Sequence, residues 1–121
     1  MNRDMDLVRD ILRELSESDG PLDASVFTDG TRTFQLVAFH FEIMREAGLI
    51  EADVSKTWGG GYAGATAKRL TWDGADLLAA ISNDGLWSHV KRTIGKSMGS
   101  ASLETVKALA VKLAMERLSA L

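Results

Sequence analysis

The run His40-Phe41-Glu42-Ile43-Met44-Arg45-Glu46-Ala47-Gly48-Leu49-Ile50 constrains the fold of this chain more than any other. It reads as the end of a long helix, capped upstream by Thr31 or Thr33 and running to Ala47. Leu36, Ile43 and Ala47 share one face at 100° per residue, and Val37, Phe41 and Met44 extend it. Gln35, Glu42 and Glu46 lie together on the opposite side. Gly48 falls at C′, where a left-handed residue is favoured, and an extended segment from Leu49 to Ser55 follows at once. A helix that reverses at a glycine into a strand predicts mixed α and β structure.

The rest of the chain builds around that reversal. Val8, Ile11, Leu12 and Leu15 recur at helical spacing and predict a first helix from about Asp4 to Ser16. Asp19-Gly20-Pro21 punctuates a loop. Ala24 to Thr28 is expected as a short strand with Asp29-Gly30 as its turn. Ala67 to Leu70 is the expected antiparallel partner of Leu49 to Ser55. The glycine-rich stretch Trp58-Gly59-Gly60-Gly61-Tyr62-Ala63-Gly64 would form the hairpin tip. Thr71 caps a helical segment over Trp72 to Ser82, and Asp84 opens another with Leu86, Trp87, Val90 and Ile94 inward. Gly95 to Ser100 breaks it, and a last helix starts near Ser102. The expected organisation is a domain over residues 1–82 and a helical extension over 83–121, forming one structural unit.

A chain of 121 residues holds one core. With 45% hydrophobic and 26% charged residues it is ordinary for a folded protein. It has no cysteine, which excludes disulfides, thiolate metal sites and cysteine nucleophiles. The opening Asn2-Arg3-Asp4-Met5-Asp6 lacks the apolar run of a signal peptide, and no segment approaches the roughly 20 apolar residues of a membrane span. A cytoplasmic protein with no membrane contact is expected. The net charge of −3 is uneven: residues 1–53 hold five Lys/Arg against twelve Asp/Glu, and residues 54–121 hold nine against five. A polyanion would therefore prefer the second half.

The order helix, loop or short strand, helix ending Ala47-Gly48-Leu49-Ile50, hairpin, helix resembles the winged helix-turn-helix. His40 to Ile50 looks like the end of the recognition helix in metal-sensing repressors of the arsenic-repressor type. Arg69-Leu70-Thr71-Trp72-Asp73-Gly74 resembles the closing leucine-threonine-x-x-glycine of many bacterial winged-helix regulators, in which the threonine caps the helix after the wing. Together with Arg3-Asp4-Met5-Asp6-Leu7-Val8-Arg9, these motifs resemble a family of bacterial and prophage proteins catalogued as domain of unknown function 2513. The resemblance spans nearly the whole chain and implies a winged-helix fold, α+β and mostly helical, with a glycine-rich wing and additional C-terminal helices.

Laid against the repressor pattern, the outward positions of the recognition helix are Gln35, Ala38, Phe39 and Glu42, with Glu46 one turn on. Gln35 is the one conventional base reader among them; Glu42 and Glu46 would meet phosphate with like charge. Basic residues flank the helix instead. Arg32 precedes it, Lys56 opens the wing, Lys68 and Arg69 close it, and Lys91, Arg92 and Lys96 cluster further on. His40 matches a recognition-helix histidine of that repressor family, which implies a phosphate or capping contact. The first expectation is a non-catalytic, DNA-binding transcriptional regulator, with Arg32, Gln35, His40, Lys56, Lys68 and Arg69 as its contacts. The alternative is a protein-interaction module using Phe39, Glu42, Glu46, Trp58 and Tyr62, since exposed aromatics anchor interfaces. Equally, Trp58 can fold back as a lid and the lysines can be plain solvated surface.

Catalysis finds little purchase. His40 and His89 stand without cysteine, and no His-x-x-x-His or Glu-x-x-His spacing offers a metal site. Gly59-Gly60-Gly61 lacks the lysine and helix of a phosphate loop. No cofactor is expected. The last helix carries Leu103, Val106, Leu109, Ala110 and Leu113 on one side, and Val111, Met115 and Leu118 widen its apolar arc. That excess predicts a homodimer through the C-terminal helix.

Overall fold

A computed structural model describes residues 3–97 and 102–119 of the chain. The elements run α1 (Met5–Glu17), β1 (Leu22–Asp23), a 3₁₀ turn (Ala24–Phe27), α2 (Phe34–Glu46), β2 (Ile50–Lys56), β3 (Tyr62–Leu70), α3 (Trp72–Ile81), α4 (Asp84–Ser97) and α5 (Leu103–Ser119). Among the described residues this is a mostly helical α+β fold with one small antiparallel sheet of order β1-β3-β2. The chain divides into two compact units, Met1–Ala75 and Asp76–Leu121. The division falls within α3, ahead of the 82/83 boundary drawn from sequence.

In the first unit, α1 starts at Asp4, whose Oδ1 accepts the Leu7 amide at 3.1 Å. Its stripe of Leu7, Val8, Ile11 and Leu12 is completely buried. Each such side chain contributes about 1.5–3 kcal/mol of hydrophobic stabilisation. α2 adds Val37, Ala38, Phe41 and Met44 to this core, and Phe27 meets the edge of Phe41 with ring centroids 5.9 Å apart.

The reversal after α2 is a Schellman closure. The Leu49 amide donates to Met44 O and the Gly48 amide to Arg45 O, both at 3.0 Å, with Gly48 at φ 77°. β2 then pairs with β3 from Ile50↔Leu70 to Lys56↔Tyr62, with irregularities after Glu51 and Ser55. The connection is shorter than the glycine run suggested. Thr57 N donates to Gly61 O at 2.7 Å and Gly60 N to Thr57 O at 3.1 Å, and Gly60 sits at φ 89°. The tip is therefore Trp58-Gly59-Gly60, and Tyr62, Ala63 and Gly64 belong to β3.

One expected strand is corrected. Ala24 to Phe27 winds as a 3₁₀ turn because Asp23 caps it, its Oδ2 accepting the Ser25 amide at 2.9 Å. The strand lies just before it, with Leu22↔Ala67 and Asp23↔Thr66 paired. Asp29 Oδ1 then accepts the Thr31 and Arg32 amides at 2.7 and 2.8 Å, turning the chain into α2, whose cap is Thr33.

The two stretches that carried the family resemblance are knitted together. Thr71 Oγ1 donates to Gly48 O at 2.5 Å and accepts the Gly74 amide at 3.0 Å, while the Thr71 amide donates to Leu49 O at 3.1 Å. A Cβ on Gly74 would lie 1.9 Å from Leu49 O, so this crossing requires glycine.

In the second unit, Leu86, Trp87, Val90 and Ile94 of α4 are buried, as are Leu103, Val106 and Ala110 of α5. Asn83 Oδ1 caps α4 at the Leu86 amide (3.0 Å) and accepts Arg117 Nη1 at 3.1 Å. The expected break over Gly95 to Ser100 starts late, because α4 continues to Ser97; residues 98–101 lie outside the described residues. No helix among the described residues is long and apolar enough to cross a membrane.

Candidate functional site

Of the residues singled out from sequence, Gln35, Glu42, Lys56 and Tyr62 come together between α2 and the hairpin, while Arg32 and His40 turn toward α1. Gln35 commits its whole amide to one residue. Its Nε2 donates to Tyr62 O at 2.9 Å, and its Oε1 accepts the Tyr62 amide at 2.7 Å. The side chain thus imitates a neighbouring strand at the start of β3. It fastens the hairpin to α2, and as a base reader it is already occupied.

Below it, Lys56, Glu42 and Tyr62 form one cluster. Lys56 Nζ lies 3.2 Å from Glu42 Oε1 and 5.6 Å from the centre of the Tyr62 ring. Tyr62 is buried at the hairpin base, and its hydroxyl also meets Glu42. Burial first, and then the Glu42 carboxylate, hold that phenol above its ordinary pKa. This corrects the placement of Tyr62 at the wing tip. Glu46 stays exposed one turn further on.

Arg32 is likewise committed, to two partly exposed carboxylates of α1 and its cap. Nη1 donates to Asp10 Oδ2 at 2.8 Å and Nε lies 3.5 Å from Asp4 Oδ2. Burial opposes the charge of the guanidinium, but Asp10 and Asp4 outweigh it and raise its pKa. As a phosphate contact it would first have to abandon both carboxylates.

His40 is fully buried, which removes it from the outward face. Nε2 lies 2.7 Å from the Asp4 amide and Nδ1 2.8 Å from Leu36 O. Through Nε2 it accepts the amide of the residue that caps α1. Phe39 is half-buried with its ring edge-on to His40 at 5.5 Å. Ala38 is buried.

The two basic residues of β3 are exposed and each faces a carboxylate of β2 across the hairpin. Lys68 Nζ is 3.0 Å from Asp53 Oδ2. Arg69 grips Glu51 with two bonds, Nε to Oε2 at 2.6 Å and Nη2 to Oε1 at 2.9 Å. Such exposed pairs hold at about 0–1 kcal/mol, so they mute the local positive field without locking the side chains away. Lys91 lies over the Trp87 ring at 5.6 Å, and Arg92 Nε reaches Ser88 O, so the cluster on α4 is partly self-engaged; the side chain of Lys96 lies outside the described residues.

Trp58 stands apart. It is 108% exposed at the turn, with no fold-back onto a helix. Trp72, which sequence reasoning placed in a motif but not in a site, is 88% exposed at the start of α3. Its signal was available, because a tryptophan directly after a capping threonine sits in the first turn of the helix, outside its inward stripe. A shallow groove of about 230 Å³ on the sheet is lined by Asp23, Asp53, Ser55, Gly64 and Thr66 among others. No group of three or more His, Cys, Asp or Glu among the described residues is placed to hold a metal ion.

The assembly is a small α+β unit whose hairpin is anchored to one helix by an amide and an ion pair. The chain belongs to the family described as hypothetical protein (DUF2513), whose profile matches residues 2–101. It is 36% identical to an uncharacterized protein of Haemophilus influenzae (strain Rd) over 122 residues, covering 98% of this chain and 100% of that protein. No solved structure shows a significant match.

Proposed function

We propose that this chain is a non-catalytic winged-helix module that recognises another protein through its hairpin wing, with Trp58 as the anchor. The carrying observation is the full exposure of Trp58 on a tip whose base is fixed by Gln35, Tyr62, Glu42 and Lys56. A fully exposed tryptophan has a large apolar area to bury on binding, which is why such residues dominate interfaces. Exposed Glu46, one turn beyond Glu42 on α2, favours a partner that sets a cation beside an apolar pocket. Capture of partners by the full chain from cells that carry it, compared with Trp58→Ala, tests the reading. Loss of a captured protein with Trp58→Ala supports it; undiminished capture contradicts it.

A second reading is favoured by the topology. Strand order β1-β3-β2 with a helix before the hairpin is compatible with a winged-helix arrangement, and Lys56, Lys68 and Arg69 lie about half-exposed or more on the hairpin. In that reading DNA is held by phosphate contacts without base readout, since Gln35 is engaged internally. A gel shift against pooled random DNA at low salt separates the two. A complex lost on Lys68→Ala/Arg69→Ala replaces the first reading with the second.

A further inference from the structure

Two nitrogens of one buried ring have opposite duties. The Asp4 amide can only donate, so His40 Nε2, 2.7 Å away, must accept. The Leu36 carbonyl can only accept, so Nδ1, 2.8 Å away, must carry the hydrogen. One neutral tautomer satisfies both bonds. The imidazolium cannot, because its second N–H would face another N–H across 2.7 Å. This contact joins residues 36 apart, and it secures an amide at the entry of α1 that the helix itself leaves without a partner.

We propose that His40 is a pH-sensitive latch: neutral, it fastens the first turn of α1 to α2; protonated, it releases that turn. The charged groups facing the ring are Asp4 at the cap of α1 and Arg32 in the loop before α2, the latter tied to Asp4 and Asp10. From α2 itself the ring meets the Leu36 carbonyl and the uncharged Phe39. Asp4 would welcome a cation, but Arg32 would repel it, and the buried position disfavours charge most of all. On protonation the Asp4 carboxylate, which caps the Leu7 amide through Oδ1, is drawn toward the new charge, so the cap and the latch fail together.

The sign follows from proton counting. Burial is the first cause that lowers the His40 pKa from its ordinary 6.5. The folded state therefore binds fewer protons than the unfolded state between the folded midpoint and 6.5. Stability contributed by the latch is complete above 6.5, declines as pH falls below it, and levels off beneath the folded midpoint.

An NMR titration of the full chain from about pH 7.5 to about 4.5 reads this directly. The expected result is that the His40 ring and the Asp4 amide proton shift with one midpoint below 6.5, while the Asp4 and Leu7 amides lose exchange protection. The hairpin amides of Val54 and Ala65 stay unchanged. A static Asp4 amide, or a His40 midpoint at or above 6.5, overturns the proposal. His40→Gln offers an acceptor and a donor but does not titrate, so the step should vanish; its persistence overturns the latch. His89→Asn should leave the step intact, and its disappearance there would assign the transition to His89 instead. Should His40→Gln not fold, the Asp4 amide and the His40 ring of the natural chain decide the matter by themselves, shifting together or not.

Discussion

The Gln35 side chain holds Tyr62 by both its backbone N–H and its backbone C=O, at 2.7 and 2.9 Å. One helix residue thus supplies what a neighbouring strand would supply, and the base of the hairpin takes its place on α2 from that bond pair. The same engagement removes the one conventional base reader from the outward helix face. Structure and proposed function meet at this contact.

Gln35→Leu should leave the Tyr62 amide and carbonyl without partners in a half-buried place, at a cost of about 1–3 kcal/mol. Gln35→Glu keeps the acceptor for the amide but sets a carboxylate against the carbonyl, so it should fall between. Urea denaturation checks the ranking. A Leu variant as stable as the natural chain would show that the amide pair contributes nothing net.

Gly74→Ala places a Cβ 1.9 Å from Leu49 O, a backbone atom with no room to retreat. Thr71 ties the same crossing through Gly48 and Leu49, so relief would require breaking those bonds. The loss should exceed about 3 kcal/mol, near the upper end for single substitutions. Gly59→Ala, with open space and no positive φ, should be close to neutral. Thermal unfolding of both variants measures the contrast; equal melting temperatures would refute it.

Much of this was legible before the fold. The stop of α2 at Gly48 and the cap at Thr71 are set by residues within five positions of each other, where local chemistry decides. The stripes of α1 and α4 follow from their spacing for the same reason. What escaped was long-range pairing. Gln35 meets Tyr62 across 27 residues, His40 meets Asp4 across 36, and Arg32 meets Asp10 across 22. Gln35 looked available on a helix wheel, Arg32 from its place before the helix and His40 from the repressor resemblance, and none of these signals shows what stands in front of a side chain. The 3₁₀ turn after β1 was missed because Ala24-Ser25-Val26-Phe27 has strand-like residues, while Asp23 supplies a cap that favours winding.

The exposed ion pairs of the hairpin should matter little to stability. Replacing Lys68 by Ala removes one contact with Asp53, both side chains being about half exposed or more, and should cost under about 1 kcal/mol with weak salt dependence. Denaturation at low and high salt tests this. A loss well beyond that range would mean that Lys68 does more than pair with Asp53.

On α5, Met115 and Leu118 remain 64% and 69% exposed. Self-association through this stripe predicts a concentration-dependent sedimentation coefficient that becomes constant on Met115→Glu/Leu118→Glu. A natural chain that sediments as a monomer at every concentration would remove the dimer from the account.

The most direct measurement concerns Trp58. With a photoreactive residue in its place, irradiation in cell extract should give a discrete adduct with one other protein, while the same group at exposed Glu14 on α1 gives none. Adducts of equal yield from both positions, or adducts with nucleic acid in place of protein, would contradict recognition of a protein through the wing.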